Sequence, residues 1–147
     1  PAAPNTPLPS DAEALVLYQG VSETCTRYNV KTPVYAAELE PIAQEIAEAA
    51  VIHRYYTTQP PAAVIDKAKT DVSALADGAE YLVYDLNPYD TAAKAPLSVN
   101  SMKNTIIQKG ANRVGIVIVT LTNADTKEEV KYECTVYARF PDAAAQE

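Results

Sequence analysis

The sequence contains no tryptophan, one histidine, one phenylalanine, one methionine, two cysteines and four glycines. Each scarcity removes a class of chemistry. A zinc centre draws on several His or Cys ligands, and one histidine with two distant cysteines does not supply them. The cysteines form no Cys-x-x-Cys pair, so dithiol redox catalysis has no support. The glycines stand singly, which leaves neither a phosphate-cradling loop nor a Gly-x-Ser-x-Gly nucleophile turn. No cofactor and no metal is expected. Positive charge is sparse as well: twelve Lys and Arg against nineteen Asp and Glu give a net charge of −7, with no basic run. Nucleic acid, which recruits proteins with a basic stripe, is not the expected partner. No apolar run approaches the ~20 residues that span a bilayer, and no charged stretch followed by an apolar one marks a signal peptide. The opening Pro-Ala-Ala-Pro fits a processed export product, a trimmed chain or a Met-clipped cytosolic protein alike.

What is present is the material of a packed domain. Apolar residues make up 48% of the 147 and charged residues 21%, a balance that supports a core rather than global disorder. Ten tyrosines carry almost all the aromatic content. Tyrosine buries its ring while keeping its hydroxyl near water or a partner, so such rings suit the rim of a core or a contact surface.

Residues 1–9 hold four prolines and read as a disordered or extended lead-in, and residues 141–147 as a disordered tail, leaving a single domain over 10–140. Ser10-Asp11-Ala12-Glu13 matches a capping box, and Ala14, Leu17, Tyr18, Val21 and Cys25 recur on one face of a first helix. A second helix is predicted from Glu38 to Tyr56, with Leu39, Ile42, Ile46, Ala49, His53 and Tyr56 as its apolar stripe and Pro41 in its first turn. Pro61 opens a third, with a stripe through Val64 or Ile65, Ala68, Val72 and Leu75, and Gly78 as its C-terminal stop. Glu80 to Leu86 alternates as a strand with Leu82 and Leu86 inward. A last helix capped by Ser98 would carry Val99, Met102 and Ile106 and stop at Gly110, a strand over Thr105–Gln108 being the alternative.

The strongest pattern is the C-terminal hairpin. Two β-type runs flank a polar turn centred on Asp125-Thr126, and period-two registration pairs Leu121 with Val130, Val119 with Tyr132, Val117 with Cys134 and Gly115 with Val136. The opposite face carries Val114, Ile116 and Ile118 beside Tyr137, Thr135 and Glu133. A first strand apolar on both faces belongs inside a sheet or needs a cover on its second face. The fold class is therefore α+β: three to four helices packed on a small antiparallel sheet built around the C-terminal β-hairpin over 113–140.

Four groups of residues are candidates for function. Cys25 and Cys134 both aim at the core, and a disulfide between them would close a loop worth about 4–5 kcal/mol and imply an oxidising, periplasmic or extracellular location. His53 has no obvious catalytic partners, although it is the base on which a small hydrolase would depend. Asp85 and Asp90 flank a turn that lacks the glycine and distal Glu of a calcium loop. Tyr55, Tyr56, Tyr89 and Tyr137 are the candidate protein-contact rings. Together these point to a non-catalytic exported protein-interaction domain, such as an inhibitor, an immunity-type partner or an envelope-assembly accessory, with the second face of strand 113–123 open to an oligomer contact. The alternative is a small-ligand binder with a pocket lined by Tyr18, Tyr81 or Tyr132.

Overall fold

A computed structural model describes residues 7–90 and 103–141 of the chain. The expected helix cap at Ser98, with Val99 and Met102, lies outside those residues, as do most of the lead-in and tail. The described elements run α1 (Ala12–Arg27), β1 (Val34–Tyr35), a 3₁₀ turn (Ala37–Leu39), α2 (Glu40–Ala49), α3 (Ala62–Ser73), β2 (Glu80–Pro88), a π-helical turn (Lys103–Gln108), β3 (Arg113–Thr122) and β4 (Glu129–Arg139). The class is α+β, as the sequence predicts.

The sheet is four-stranded in the order β1-β3-β4-β2. It is mixed rather than purely antiparallel, because β1 pairs with β3 in parallel while β3–β4 and β4–β2 are antiparallel. The hairpin register is the predicted one at all four pairs: Leu121 with Val130, Val119 with Tyr132, Val117 with Cys134, and Gly115 with Val136. Its turn is built by Asn123, whose side-chain oxygen accepts from the N–H groups of Asp125 (2.8 Å) and Thr126 (2.9 Å). Lys127 takes the left-handed conformation that lets the chain return.

Helices cover both faces of this sheet. α1 begins at Asp11, whose carboxylate accepts from Ala14 N–H at 2.9 Å, so the cap is the residue after the expected Ser10. Its stripe of Ala14, Leu17, Tyr18, Val21 and Cys25 packs on Val114, Ile116 and Tyr137. α2 and α3 occupy the other face, where Leu39, Ile42, Ile46, Ala68 and Val72 meet Val119, Cys134 and Val136. The apolar second face of β3 is thus covered by this chain's own first helix, and the expected oligomer contact there is withdrawn.

The same arrangement corrects the disulfide. Cys134 faces α2 and α3, because even-numbered positions of β4 share that side, whereas Cys25 lies in the α1 layer. The sheet stands between the two thiols, and they are not bonded to each other. The expectation had assumed one core where there are two, and the argument for an oxidising compartment loses its premise with it.

Three local differences have identifiable causes. α2 ends at Ala49 rather than Tyr56: Ala50 turns extended, and Ile52, next to β-branched Val51, bridges Thr57 and Asn123 instead of continuing the helix. α3 ends at Ser73, which leaves Leu75 exposed, and Gly78 (φ +78°) lies in the following loop rather than at the helix stop. In β2 a bulge between Tyr81 and Val83 breaks the alternation. Leu82 and Val83 therefore pack on the α1 side, and Tyr81, Tyr84 and Leu86 on the other.

Two close contacts seat the 3₁₀ turn and β1. Gly115 lies under that turn so tightly that a Cβ there would stand 2.6 Å from Leu39 Cβ and 3.0 Å from the Ala36 carbonyl oxygen. Tyr35 places its hydroxyl against the outer edge of β3, accepting from Ile116 N–H at 3.2 Å and lying 3.1 Å from Ile116 C=O. The same hydroxyl donates a short hydrogen bond to Glu40; burial, then that bond, raises its pKa.

Candidate functional site

The candidate surface is built where α2 stops. Val51 to Thr58 forms a small reversed turn: Thr58 N–H bonds Val51 C=O at 2.9 Å, Thr58 Oγ1 accepts from Val51 N–H at 2.9 Å, and His53 N–H bonds Tyr56 C=O at 2.8 Å. The tip, Arg54-Tyr55-Tyr56, is fixed to the β3–β4 turn by three further contacts. Ala124 N–H bonds Ile52 C=O at 2.7 Å, Arg54 N–H bonds Asp125 Oδ2 at 2.9 Å, and His53 Nδ1 lies 3.2 Å from Asp125 Oδ1. The His53 ring stacks on Tyr56 at 4.4 Å between centroids. These bonds hold Asp125 below the usual carboxylate range, the Arg54 N–H first and His53 second. The tip therefore presents Tyr55 (88% exposed) and Tyr56 (62% exposed) on a backbone that is already ordered.

The four expected contact rings divide. Tyr55 and Tyr56 stand together at this tip. Tyr89 lies apart from them, just past the end of the edge strand β2, half-buried on the α1 side, with its N–H on Lys131 C=O and Lys131 Nζ 5.7 Å over its ring. Tyr137 is fully buried on the α1 side and offers no surface, because odd positions of β4 face that helix. His53 is not on a helix stripe; it serves the tip, pairing with Asp125 and stacking on Tyr56.

Among the described residues, the three rings named for a ligand pocket do not share one site. Tyr18 and Tyr132 are buried on opposite faces of the sheet, and Tyr18 spends its hydroxyl on Pro33 C=O at 2.8 Å. Tyr81 lines an open groove of about 620 Å³ with Lys109, Gly110 and Arg139. Arg139 there is paired with Glu80 at 2.6 Å.

A second cluster includes Asp85, a candidate in the sequence as a turn partner of Asp90, but its other members are not evident there. Asp85 and Asn87 of β2 lie opposite Thr135 and Glu133 of β4 on the α1 side of the sheet. Glu133 is only 3% exposed, and its two oxygens accept from Asn87 Nδ2 (2.8 Å) and Thr135 Oγ1 (2.9 Å). Burial pushes its carboxyl up to about 7, against the pull of those two donors, and neighbouring Asp85 adds to the rise. Burial likewise raises Asp85, against a hydrogen bond with Asn87. The buried Tyr137 hydroxyl has no hydrogen-bond partner among the described residues, although it senses the charges of Glu133 and Asp85. The available signal was cross-strand: Glu133 pairs with Ile118 and Thr135 with Ile116, so polar residues stood opposite a strand already judged apolar on both faces. Among the described residues no three His, Cys, Asp or Glu side chains converge as a metal site, and no helix is long and apolar enough to cross a membrane.

Comparison of the chain with protein-family models, with curated proteins and with solved structures yields no match.

Proposed function

We propose that this chain is a non-catalytic protein-interaction domain that binds through the Arg54-Tyr55-Tyr56 tip. The observation that carries the reading is the exposure of two adjacent tyrosines on a turn pinned to its neighbours by backbone and side-chain hydrogen bonds. Tyr and Arg are the residue types that dominate binding energy at protein contacts. A tyrosine supplies a large amphipathic area while losing few rotamers, and an ordered backbone lowers the entropic cost of docking. Val51, also exposed, extends the apolar part of the tip.

The test compares the wild-type chain with a Tyr55→Ala/Tyr56→Ala double variant as immobilised baits in extract of the source cells. The expected result is a protein retained by the wild type and lost from the double variant, with the thermal midpoints of the two baits alike. Equal retention by both baits would remove the tip as the contact surface.

A further inference from the structure

We propose that Asp85 and Glu133 form a proton-binding pair that couples pH to the docking of α1 on the sheet, the helix layer loosening when the pair loses its proton. The geometry supports this at three points. Glu133 is buried between strands, and its donors among the described residues are both neutral, Asn87 and Thr135. A second carboxylate, Asp85, lies one row along on the adjacent strand of the same face. The hydroxyl of Tyr137, further along that face of β4, is buried and has no hydrogen-bond partner among the described residues. Two carboxylates in a poorly hydrated space do not both ionise without a compensating charge, and a shared proton relieves the repulsion.

Among the described residues, the groups that face the pair are few. From β4 they are Thr135 and Tyr137, whose hydroxyl is kept protonated by burial; from β2, Asn87; from β3, the apolar Ile116 and Ile118 in register. From α1, Cys25 acts on Tyr137 and is itself raised by burial, so it stays a thiol. Lys131 shares this face of β4 but is paired with Glu13 in the first turn of α1 at 2.9 Å. The helix thus meets β4 near Lys131 at one end and near Tyr137 at the other, with Glu133 and Thr135 between them. Ionising the pair places charge on the face α1 covers, and admitting water at that face relieves it.

The sign follows from Glu133, raised from 4.5 to about 7 by burial first. The folded protein holds a proton that the unfolded chain releases, so protection is greatest in acid and declines as pH rises through that window, levelling above it. Amide hydrogen exchange of α1, normalised to α3 on the opposite face, is the readout. Between pH 5 and pH 8 the wild type is expected to lose protection of α1 on the order of a hundredfold relative to α3. Glu133→Gln keeps the shape and the hydrogen-bonding capacity and should show a flat ratio. Asp85→Asn, which removes the like charge, should complete the decline at lower pH. A flat wild-type ratio, or an equal decline in Glu133→Gln, overturns the proposal. So does protection restored at pH 8 by millimolar calcium in the wild type but not in Glu133→Gln, which would make the pair a cation site instead.

Discussion

Tyr137 is the residue whose chemistry fits its surroundings least. Its hydroxyl is buried with no hydrogen-bond partner among the described residues, while its ring is packed among α1, β3 and β4. An unsatisfied buried hydroxyl carries a desolvation penalty with nothing to offset it. Tyr137→Phe is therefore expected to raise unfolding free energy by about 1 kcal/mol, measured by urea denaturation at pH 5; a loss of stability would mean that the hydroxyl has a partner. The cysteines yield a second residue-level prediction. Because the sheet separates Cys25 from Cys134, the denatured chain should migrate identically in gels run with and without reductant. A faster unreduced band would restore the disulfide and, with it, the case for an oxidising compartment. Cys134 should also resist alkylation in the folded protein, since burial raises its thiol far above the ordinary range.

At the scale of elements, the close seat of the 3₁₀ turn on β3 makes Gly115 a packing requirement. Gly115→Ala puts a methyl 2.6 Å from Leu39 Cβ, so the turn or the strand must shift. Over-packing of this kind costs about 1–3 kcal/mol, read as a lower urea midpoint at unchanged slope. The elements also show what a sequence discloses. The hairpin was legible down to its register because period-two alternation and a polar turn determine each other, and Leu121, Val119, Val117 and Gly115 each find the expected partner. The stripe of α1 was legible for the same reason at helical period. What escaped was long-range placement. β1 has two residues and no pattern of its own, and it pairs with a strand far along the chain. The β2 bulge moved Leu82 to the opposite face from Leu86, which strict alternation does not foresee. The end of α2 escaped because Ile52 is held by the hairpin turn, a tertiary contact that overrides continuing helical periodicity. For the contact surface, Tyr55 and Tyr56 were named, but the rigid turn that presents them was not. The carboxylate pair was hidden because β4 read as half-exposed until α1 was seen to cover its odd positions.

The whole molecule is a sheet with two cores, and its stability should depend on pH in two directions. In the neutral range the governing group is Glu133: its raised pKa makes the fold lose roughly 3 kcal/mol as pH rises from 4.5 to 7. In acid the sign reverses for Asp125, held low by Arg54 N–H and His53, so its contribution is present above the ordinary carboxylate range and lost as pH falls. Thermal midpoints measured from pH 3 to pH 8 should therefore pass through a maximum on the acid side of neutrality, and Glu133→Gln should flatten the neutral limb alone. A maximum at or above pH 8 in the wild type would contradict the burial of an ionisable carboxylate under α1.

The hydroxyl of Tyr35 has a consequence for how this protein behaves in a crowd. β3 pairs with β4 along one side, but its other side meets β1 only at Arg113 and Val114. Beyond that the tyrosine hydroxyl takes Ile116 N–H, and Ile52 bridges Asn123 at the far end. Those three unlike groups interrupt the side of β3 that a foreign strand would join, and unprotected edges are where cross-β association begins. Tyr35→Phe would keep the ring and unmask Ile116. It is expected to scatter more light than the wild type during refolding at micromolar concentration while retaining native circular dichroism once folded. Equal scattering would show that the edge is guarded by something other than this one side chain.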